Sequence, residues 1–100
     1  MKLIDFKLVT IICEPVLLNS VLVLTKEFGA TGNTLTEVRG EGNGEKRSGE
    51  IPDLKLKIEI VAEPELAIEI MKAVGERFFG NYSLITYMSD VQVVRAEKFE

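Results

Sequence analysis

The chain has 100 residues, of which 46% are hydrophobic and 28% are charged, a balance typical of one soluble globular domain. Its formal net charge of −4 argues against general nucleic-acid binding, which draws its affinity from clustered lysines and arginines. A single cysteine excludes an intrachain disulfide and fits a reducing cytoplasm, and the absence of histidine excludes His-based triads and His metal sites.

The first part of the chain predicts a strand, a helix and a second strand. Asp5 and Lys7 interrupt the initial apolar run, so this segment is predicted to be neither a signal sequence nor a membrane span. Residues 6–13 are apolar and β-branched over strand length. A helix then begins near Pro15 and ends at Gly29, and residues 33–38 predict the second strand. The apolar stripe of this helix comprises Leu17, Val21, Leu24 and Phe28.

The second part predicts a strand, a helix and two further strands. Residues 54–61 predict the third strand, and over 54–60 apolar and charged side chains alternate, which is typical of a strand with one buried face. A second helix runs from Pro64 to Gly80, with an apolar stripe of Leu66, Ile70, Val74 and Phe78. Residues 82–88 predict the fourth strand, and a turn at Ser89-Asp90 leads to a short fifth strand over 91–95.

The order β-α-β-β-α-β indicates a single α+β domain over residues 1–100 with the ferredoxin-like fold. Two helices would cover one face of a four-stranded antiparallel sheet, and the other face would stay open. The side chains expected on that open face are Thr34, Thr36, Lys57 and Glu59. Association of three copies through their open faces is one way to cover this surface.

A long polar loop separates the second and third strands, at about residues 39–53. The stretch TEVRGEGNGEKRSGE, residues 36–50, holds half of the eight glycines of the chain. One interpretation is a solvated insertion. The other is a binding loop, in which backbone N–H groups at Gly40, Gly42 and Gly44 approach an anion and Lys46 and Arg47 add positive charge.

The remaining candidates have weaker support from their residue types. Lys57 and Glu59 suit a solvated strand face or the wall of a ligand pocket, and Cys13 suits a small core residue. No pair of a nucleophile and a neighbouring base is apparent, so we expect that the protein is not an enzyme.

Three segments together resemble the PII signal-transduction proteins. GATGNTLTEVRGEG at 29–42 resembles the segment that leads into the T-loop of that family, KIEIV at 57–61 its returning strand, and VQVVR at 91–95 its last strand. The resemblance implies a homotrimer that binds adenine nucleotides in clefts between subunits. It also implies that the T-loop, here about residues 39–53, docks onto a partner.

Particular positions acquire roles from this resemblance. By position, the cleft would be lined from the T-loop side by Thr34, Gly40, Glu41, Gly42, Asn43 and Gly44. The sheet and the segment after it would contribute Glu59, Val61 and Arg95.

Other features resemble the PII-like branch linked to inorganic-carbon uptake, which includes SbtB-type and carboxysome-associated proteins. The stretch FFGNYSL at 78–84 lacks the phosphate-gripping lysine of PII proteins, while RGEG at 39–42 and Arg-Ser at 47–48 follow the pattern of the branch. Its ligands are AMP, ADP, ATP or cyclic AMP, with bicarbonate in some members and no metal required. Arg47 is then the phosphate candidate, and the cleft wall is Asn81, Tyr82 and Ser83.

The branch also implies a partner and a location. The partner would be a membrane transporter of the bicarbonate type or a metabolic enzyme. The protein itself would be cytoplasmic and would reach the membrane only through that transporter. The alternative is a metal-associated trimer of the CutA type, which shares the fold; the lack of histidine and the single cysteine count against it.

Overall fold

The computed structural model describes residues 1–42 and 52–100. Its strands are β1 (Ile4–Cys13), β2 (Thr34–Arg39), β3 (Leu54–Ala62) and β4 (Ile85–Val93). Its α-helices are α1 (Leu18–Glu27) and α2 (Pro64–Phe78), and short 3-10 turns lie at Pro15–Leu17 and Ala96–Lys98. The strands form one antiparallel sheet in the order β2-β3-β1-β4, which confirms the predicted ferredoxin-like architecture.

The hydrophobic core lies between the two helices and one face of the sheet. Alternate residues of β1 and β3 point into it, as the period of two along each strand predicts. Burying each large aliphatic side chain contributes about 1.5–3 kcal/mol relative to leaving it in water. The fully buried core side chains include Val9, Ile11, Val21, Leu24, Ile58, Ile60, Ile70 and Val74.

Glycine and proline set the ends of the helices. Pro15 opens a 3-10 turn rather than an α-helix, and α1 follows from Leu18. Gly29 has φ 109°, a conformation that L side chains rarely adopt, and its N–H donates to the Lys26 carbonyl at 3.0 Å. Phe28 belongs to the predicted core stripe but is 40% exposed, because α1 ends at Glu27 and Phe28 is its C-cap.

The predicted division of the last strand is wrong. Ser89 and Asp90, expected to form a turn, lie inside β4 and pair with Leu8 and Lys7 of β1. The Asp90 carboxylate accepts a hydrogen bond from the Lys7 ammonium, so a residue common in turns is stabilised within an edge strand. The described residues therefore form a four-stranded sheet, with one strand where the sequence predicts two.

The start of β4 also differs from the prediction. Tyr82 falls within the predicted strand, but its N–H donates to the Phe78 carbonyl at 3.0 Å, which continues the turn at the end of α2. β4 therefore begins at Ile85.

The predicted long loop connects β2 to β3, and hydrogen bonds close its base. The Gly40 N–H donates to the Asp53 carbonyl at 3.3 Å, and the Arg39 guanidinium donates to the Pro52 carbonyl at 3.1 Å. These contacts fix the points where the loop leaves and rejoins the sheet.

Within the described ranges, neither helix has the length and apolar character needed to cross a membrane.

Candidate functional site

The face of the sheet turned away from the helices, called the open face here, carries a mixture of polar and apolar side chains. The register brings them into rows across the strands, because residues directly opposite each other share a face. One row is Thr34, Glu59, Thr10 and Tyr87, and the next is Thr36, Lys57, Ile12 and Ile85. This confirms the predicted placement of Thr34, Thr36, Lys57 and Glu59 on one face.

Large apolar side chains remain accessible on the open face. Ile85 is 54% exposed and Tyr87 is 47% exposed. This apolar surface is available for contact with a ligand or with another chain. Both side chains lie on β4, at one edge of the sheet.

One cavity, called the turn-side cavity here, has a volume of about 370 Å³. Leu8 and Val61 give it an apolar floor on neighbouring strands, while Thr34 and Glu59 add a hydroxyl and a carboxylate. The complete described lining is Leu8, Thr31, Gly32, Asn33, Thr34, Glu59, Val61, Lys98 and Phe99. An apolar pocket with a few polar groups suits a flat ring with a polar edge.

A second cavity, called the loop-side cavity here, has a volume of about 330 Å³ and lies where the long loop joins the sheet. Three cationic side chains, Arg39, Lys55 and Lys57, line it together with one carboxylate, that of Glu41. The other described lining residues are Ile12, Val38, Gly40, Gly42, Ser83, Ile85 and Tyr87. The excess of positive charge suits an anionic group.

Lys55 differs from the sequence expectation. The alternating pattern of β3 predicts contact with water, a ligand or a partner, yet this lysine is only 9% exposed. It pairs directly with Val38 on β2 and shares the loop-side cavity with residues 39–42. A buried ammonium interacts more strongly with a nearby anion than an exposed one, because less water screens the interaction.

The two cavities are neighbours along β3. Glu59 belongs to the turn-side cavity and Lys57 to the loop-side cavity. Two residues of a strand span about 7 Å, so an elongated molecule could reach from one cavity into the other. The open face therefore offers an apolar, polar-edged end and a cationic end within the length of a small ligand.

The structure divides the predicted site residues into four groups. Thr34, Glu59 and Val61 line the turn-side cavity, and Gly40, Glu41, Gly42 and Ser83 line the loop-side cavity. Asn81, Tyr82 and Arg95 line neither. Asn43, Gly44, Lys46 and Arg47 lie outside the described residues.

The three residues that line neither cavity have other contacts. Tyr82 packs edge-on against Phe78, with ring centroids 6.3 Å apart. The Asn81 N–H donates to the Phe78 carbonyl at 3.2 Å. The Arg95 Nε atom lies 3.7 Å from the Glu97 Oε1 atom, and both side chains are largely exposed.

Several lining residues were missed by sequence reasoning. The strand register, rather than residue type, places Lys55 next to the loop base and Tyr87 beside Thr10. Thr31 lies within the glycine-rich segment before β2, so the sequence already showed a hydroxyl group near the predicted site residue Thr34. Nothing in the sequence indicated Phe99, because this residue reaches the cavity only where the chain folds back after β4.

Cys13 does not belong to this site. It is buried in the core, and desolvation by burial, with a further contribution from the Glu14 charge, raises the pKa of its thiol. Such a thiol is unreactive at neutral pH, in agreement with the predicted core role. In the part of the chain that the structure describes, no three side chains of the His, Cys, Asp and Glu types converge as a metal site.

Comparison with known proteins adds an independent observation. Residues 6–98 match the family model described as nitrogen regulatory protein P-II. The chain is similar to a PII-like signaling protein from Thermus thermophilus, with 36% identity, a TM-score of 0.85 and full coverage of both chains. It is also similar to CPII from Thiomonas intermedia bound to ADP and bicarbonate, with 26% identity, a TM-score of 0.86 and coverage of 99% and 98%.

Proposed function

The chain belongs to the nitrogen regulatory protein P-II family, and on that premise we propose that it is a regulatory sensor of adenine nucleotides and bicarbonate. The ligands would bind on the open face, between subunits of a homotrimer. The loop between β2 and β3 would then report the bound state to a partner. The single observation that carries this proposal is the pair of adjoining cavities, one apolar with a polar edge and one cationic.

The turn-side cavity would receive the adenine base. Leu8 and Val61 provide apolar surface for the ring, and the Thr34 hydroxyl and Glu59 carboxylate provide hydrogen-bonding groups for its edge. The phosphates would lie toward Lys57 and Lys55 in the loop-side cavity. The CPII structure bound to ADP and bicarbonate supports this choice of ligands.

The backbone near Gly40 and Gly42 would add to the phosphate contacts. Glycine allows a close approach of the chain to an anion because it has no Cβ, and the space that a Cβ would occupy at Gly40 holds no atom within 4 Å. The Gly40 N–H already donates to the Asp53 carbonyl at the base of the loop. A phosphate bound beside Gly40 would therefore act directly on the hydrogen bond that closes the loop base. Lys46 and Arg47 remain candidates within the loop itself.

Association of three copies would complete the site. The exposed side chains of Ile85 and Tyr87 supply apolar contact area on the open face. A neighbouring copy would cover this surface and form the second wall of each ligand cleft. The trimer is therefore part of the proposed binding mechanism as well as a source of stability.

Signalling requires that the ligand bind one loop conformation more tightly than another. The hydrogen bonds of Arg39 and Gly40 to Pro52 and Asp53 lie beside the loop-side cavity, where phosphate or bicarbonate would act on them. We propose a cytoplasmic role in which the loop contacts a bicarbonate transporter or an enzyme of inorganic-carbon metabolism. We expect no catalytic activity.

Isothermal titration of the purified protein with AMP, ADP, ATP and cyclic AMP, each with and without bicarbonate, tests the proposal. Micromolar binding of at least one nucleotide is expected, with tighter binding when bicarbonate is present. Light scattering after size exclusion should give three times the mass of 11.1 kDa. The absence of binding to all four nucleotides would refute the sensor function, whatever the oligomeric state.

A further inference from the structure

The segment that follows β4 returns to the open face and closes part of the turn-side cavity. It consists of the 3-10 turn Ala96–Lys98 and Phe99. The Thr31 hydroxyl donates a hydrogen bond to the Lys98 carbonyl at 3.1 Å, which ties this segment to the chain just before β2. Lys98 and Phe99 thereby line a cavity whose other described residues come from β1, β3 and residues 31–34.

An aromatic contact holds Phe99 in place. Its ring lies against Phe6 of β1 in an edge-to-face arrangement, with centroids 5.8 Å apart and planes at 61°. Phe6 is only 3% exposed and does not line the cavity, whereas Phe99 does. Phe6 and Leu8 lie on the same open face of β1, so Phe6 supports Phe99 from beside the cavity, and Phe99 remains in contact with it.

We propose that Phe99 is the aromatic residue against which the adenine base packs, and that Phe6 and Thr31 position it for that contact. This inference rests on the proposed nucleotide-binding function and assigns one residue to the binding of the base. Aromatic side chains stack on nucleobases because both present flat, polarisable surfaces. The remaining apolar surface of the cavity comes from aliphatic Leu8 and Val61, which cannot stack in this way.

The support from Phe6 and Thr31 matters because a wall that is already in place loses little conformational freedom when the ligand binds. Removal of the Phe99 ring should therefore act on affinity through faster dissociation more than through slower association. Truncation of a base-stacking aromatic typically weakens binding by roughly 5- to 150-fold. Thr31→Val should have a smaller effect in the same direction.

The first experiment measures the affinity of Phe99→Ala and Phe99→Leu for the nucleotide that wild type binds most tightly. The Ala variant removes the ring, and the Leu variant keeps apolar bulk without it. Phe28→Ala is the matched control, because Phe28 is 40% exposed at the end of α1 and lines neither cavity. The expected result is at least a roughly fivefold rise in Kd for Phe99→Ala, an intermediate rise for Phe99→Leu, and a change below about twofold for Phe28→Ala.

A second measurement does not depend on truncation. The chain contains no tryptophan, so Phe99→Trp introduces a single fluorescent reporter at the proposed stacking position. Nucleotide should quench its emission with the Kd found by calorimetry, whereas Phe28→Trp should not respond. Circular dichroism and thermal unfolding of each variant show that it is folded.

The outcomes separate this inference from the function on which it rests. If wild type binds no adenine nucleotide, the proposed function fails and the inference falls with it. If wild type binds, but Phe99→Ala binds equally well and Phe99→Trp emission does not change, the inference alone is overturned. Loss of affinity in Phe99→Ala together with quenching of Phe99→Trp supports it.

Discussion

Neutralisation of Lys55 is the substitution that tests the cationic cavity most directly. Met reproduces the lysine side chain as far as its ε-carbon and removes its charge, so Lys55→Met should preserve most of the packing while weakening the binding of ADP. The basis for choosing this position is its burial, since Lys55 is 9% exposed and lies among the residues of the loop-side cavity. An exposed lysine would be screened by water and would contribute far less.

The magnitude follows from the local environment. Two unit charges about 4 Å apart interact by about 4 kcal/mol at an effective dielectric constant of about 20. Part of that attraction is offset, because the phosphate loses its hydration when it enters the cavity. Hydrogen bonds to charged groups contribute about 1.5–3 kcal/mol net, so we expect Kd to rise roughly 10- to 150-fold in Lys55→Met.

The assay is isothermal titration with ADP at two salt concentrations, with Lys72→Met as the control. Lys72 is exposed on α2 and lines neither cavity, so its neutralisation should change Kd by less than about twofold. Thermal unfolding of both variants is measured in parallel to show that each is folded, because removal of one charge from a buried polar contact destabilises a fold. If Lys55→Met is folded and binds ADP as tightly as wild type, the assignment of the phosphates to the loop-side cavity is wrong.

The remaining predictions concern the scaffold. Gly29→Ala should lower the free energy of unfolding by about 1–3 kcal/mol in urea, because Gly29 has φ 109°. Gly80→Ala is the control, since an added Cβ at Gly80 meets open space, and it should change the free energy of unfolding by less than about 1 kcal/mol. Equal effects of the two substitutions would contradict this reasoning. Burial raises the pKa of Cys13, so above about pH 8.5 the folded state keeps the thiol proton that the unfolded state releases. The free energy of unfolding therefore falls as the pH rises through this range. The urea midpoint of wild type should thus decline more between about pH 7 and 9.5 than that of Cys13→Ala, and a parallel decline in both would exclude this cause.

Much of the fold could be predicted because its signals are local. The alternation along β3 correctly places Ile58 and Ile60 in the core, and the three-to-four spacing along α2 does the same for Ile70, Val74 and Phe78. Gly29 as a helix end and the long connection between β2 and β3 follow from residue type alone. The division of β4 was wrong because the turn preference of Ser89 and Asp90 is also local, and pairing with β1 overrides it.

The candidate site could be predicted only in part. Thr34 and Glu59 were expected on one face, and their direct pairing across β2 and β3 confirms it. The burial of Lys55 was not foreseen, because a period of two assigns a face but does not say how deeply the neighbouring strand and loop base cover that face.

The sequence by itself determined the order β-α-β-β-α-β, most of the core-facing positions, the position of the long loop and the family resemblance, since each depends on residues close together in the chain. Only the tertiary structure decided which distant residues meet. The sheet register joins the loop base to Lys55 and Tyr87 in one cavity, and the chain after β4 returns to Phe6 and Thr31. The Thr31 hydroxyl and the Lys98 carbonyl are 67 residues apart in sequence, and contacts over such separations arise from packing rather than from any local pattern.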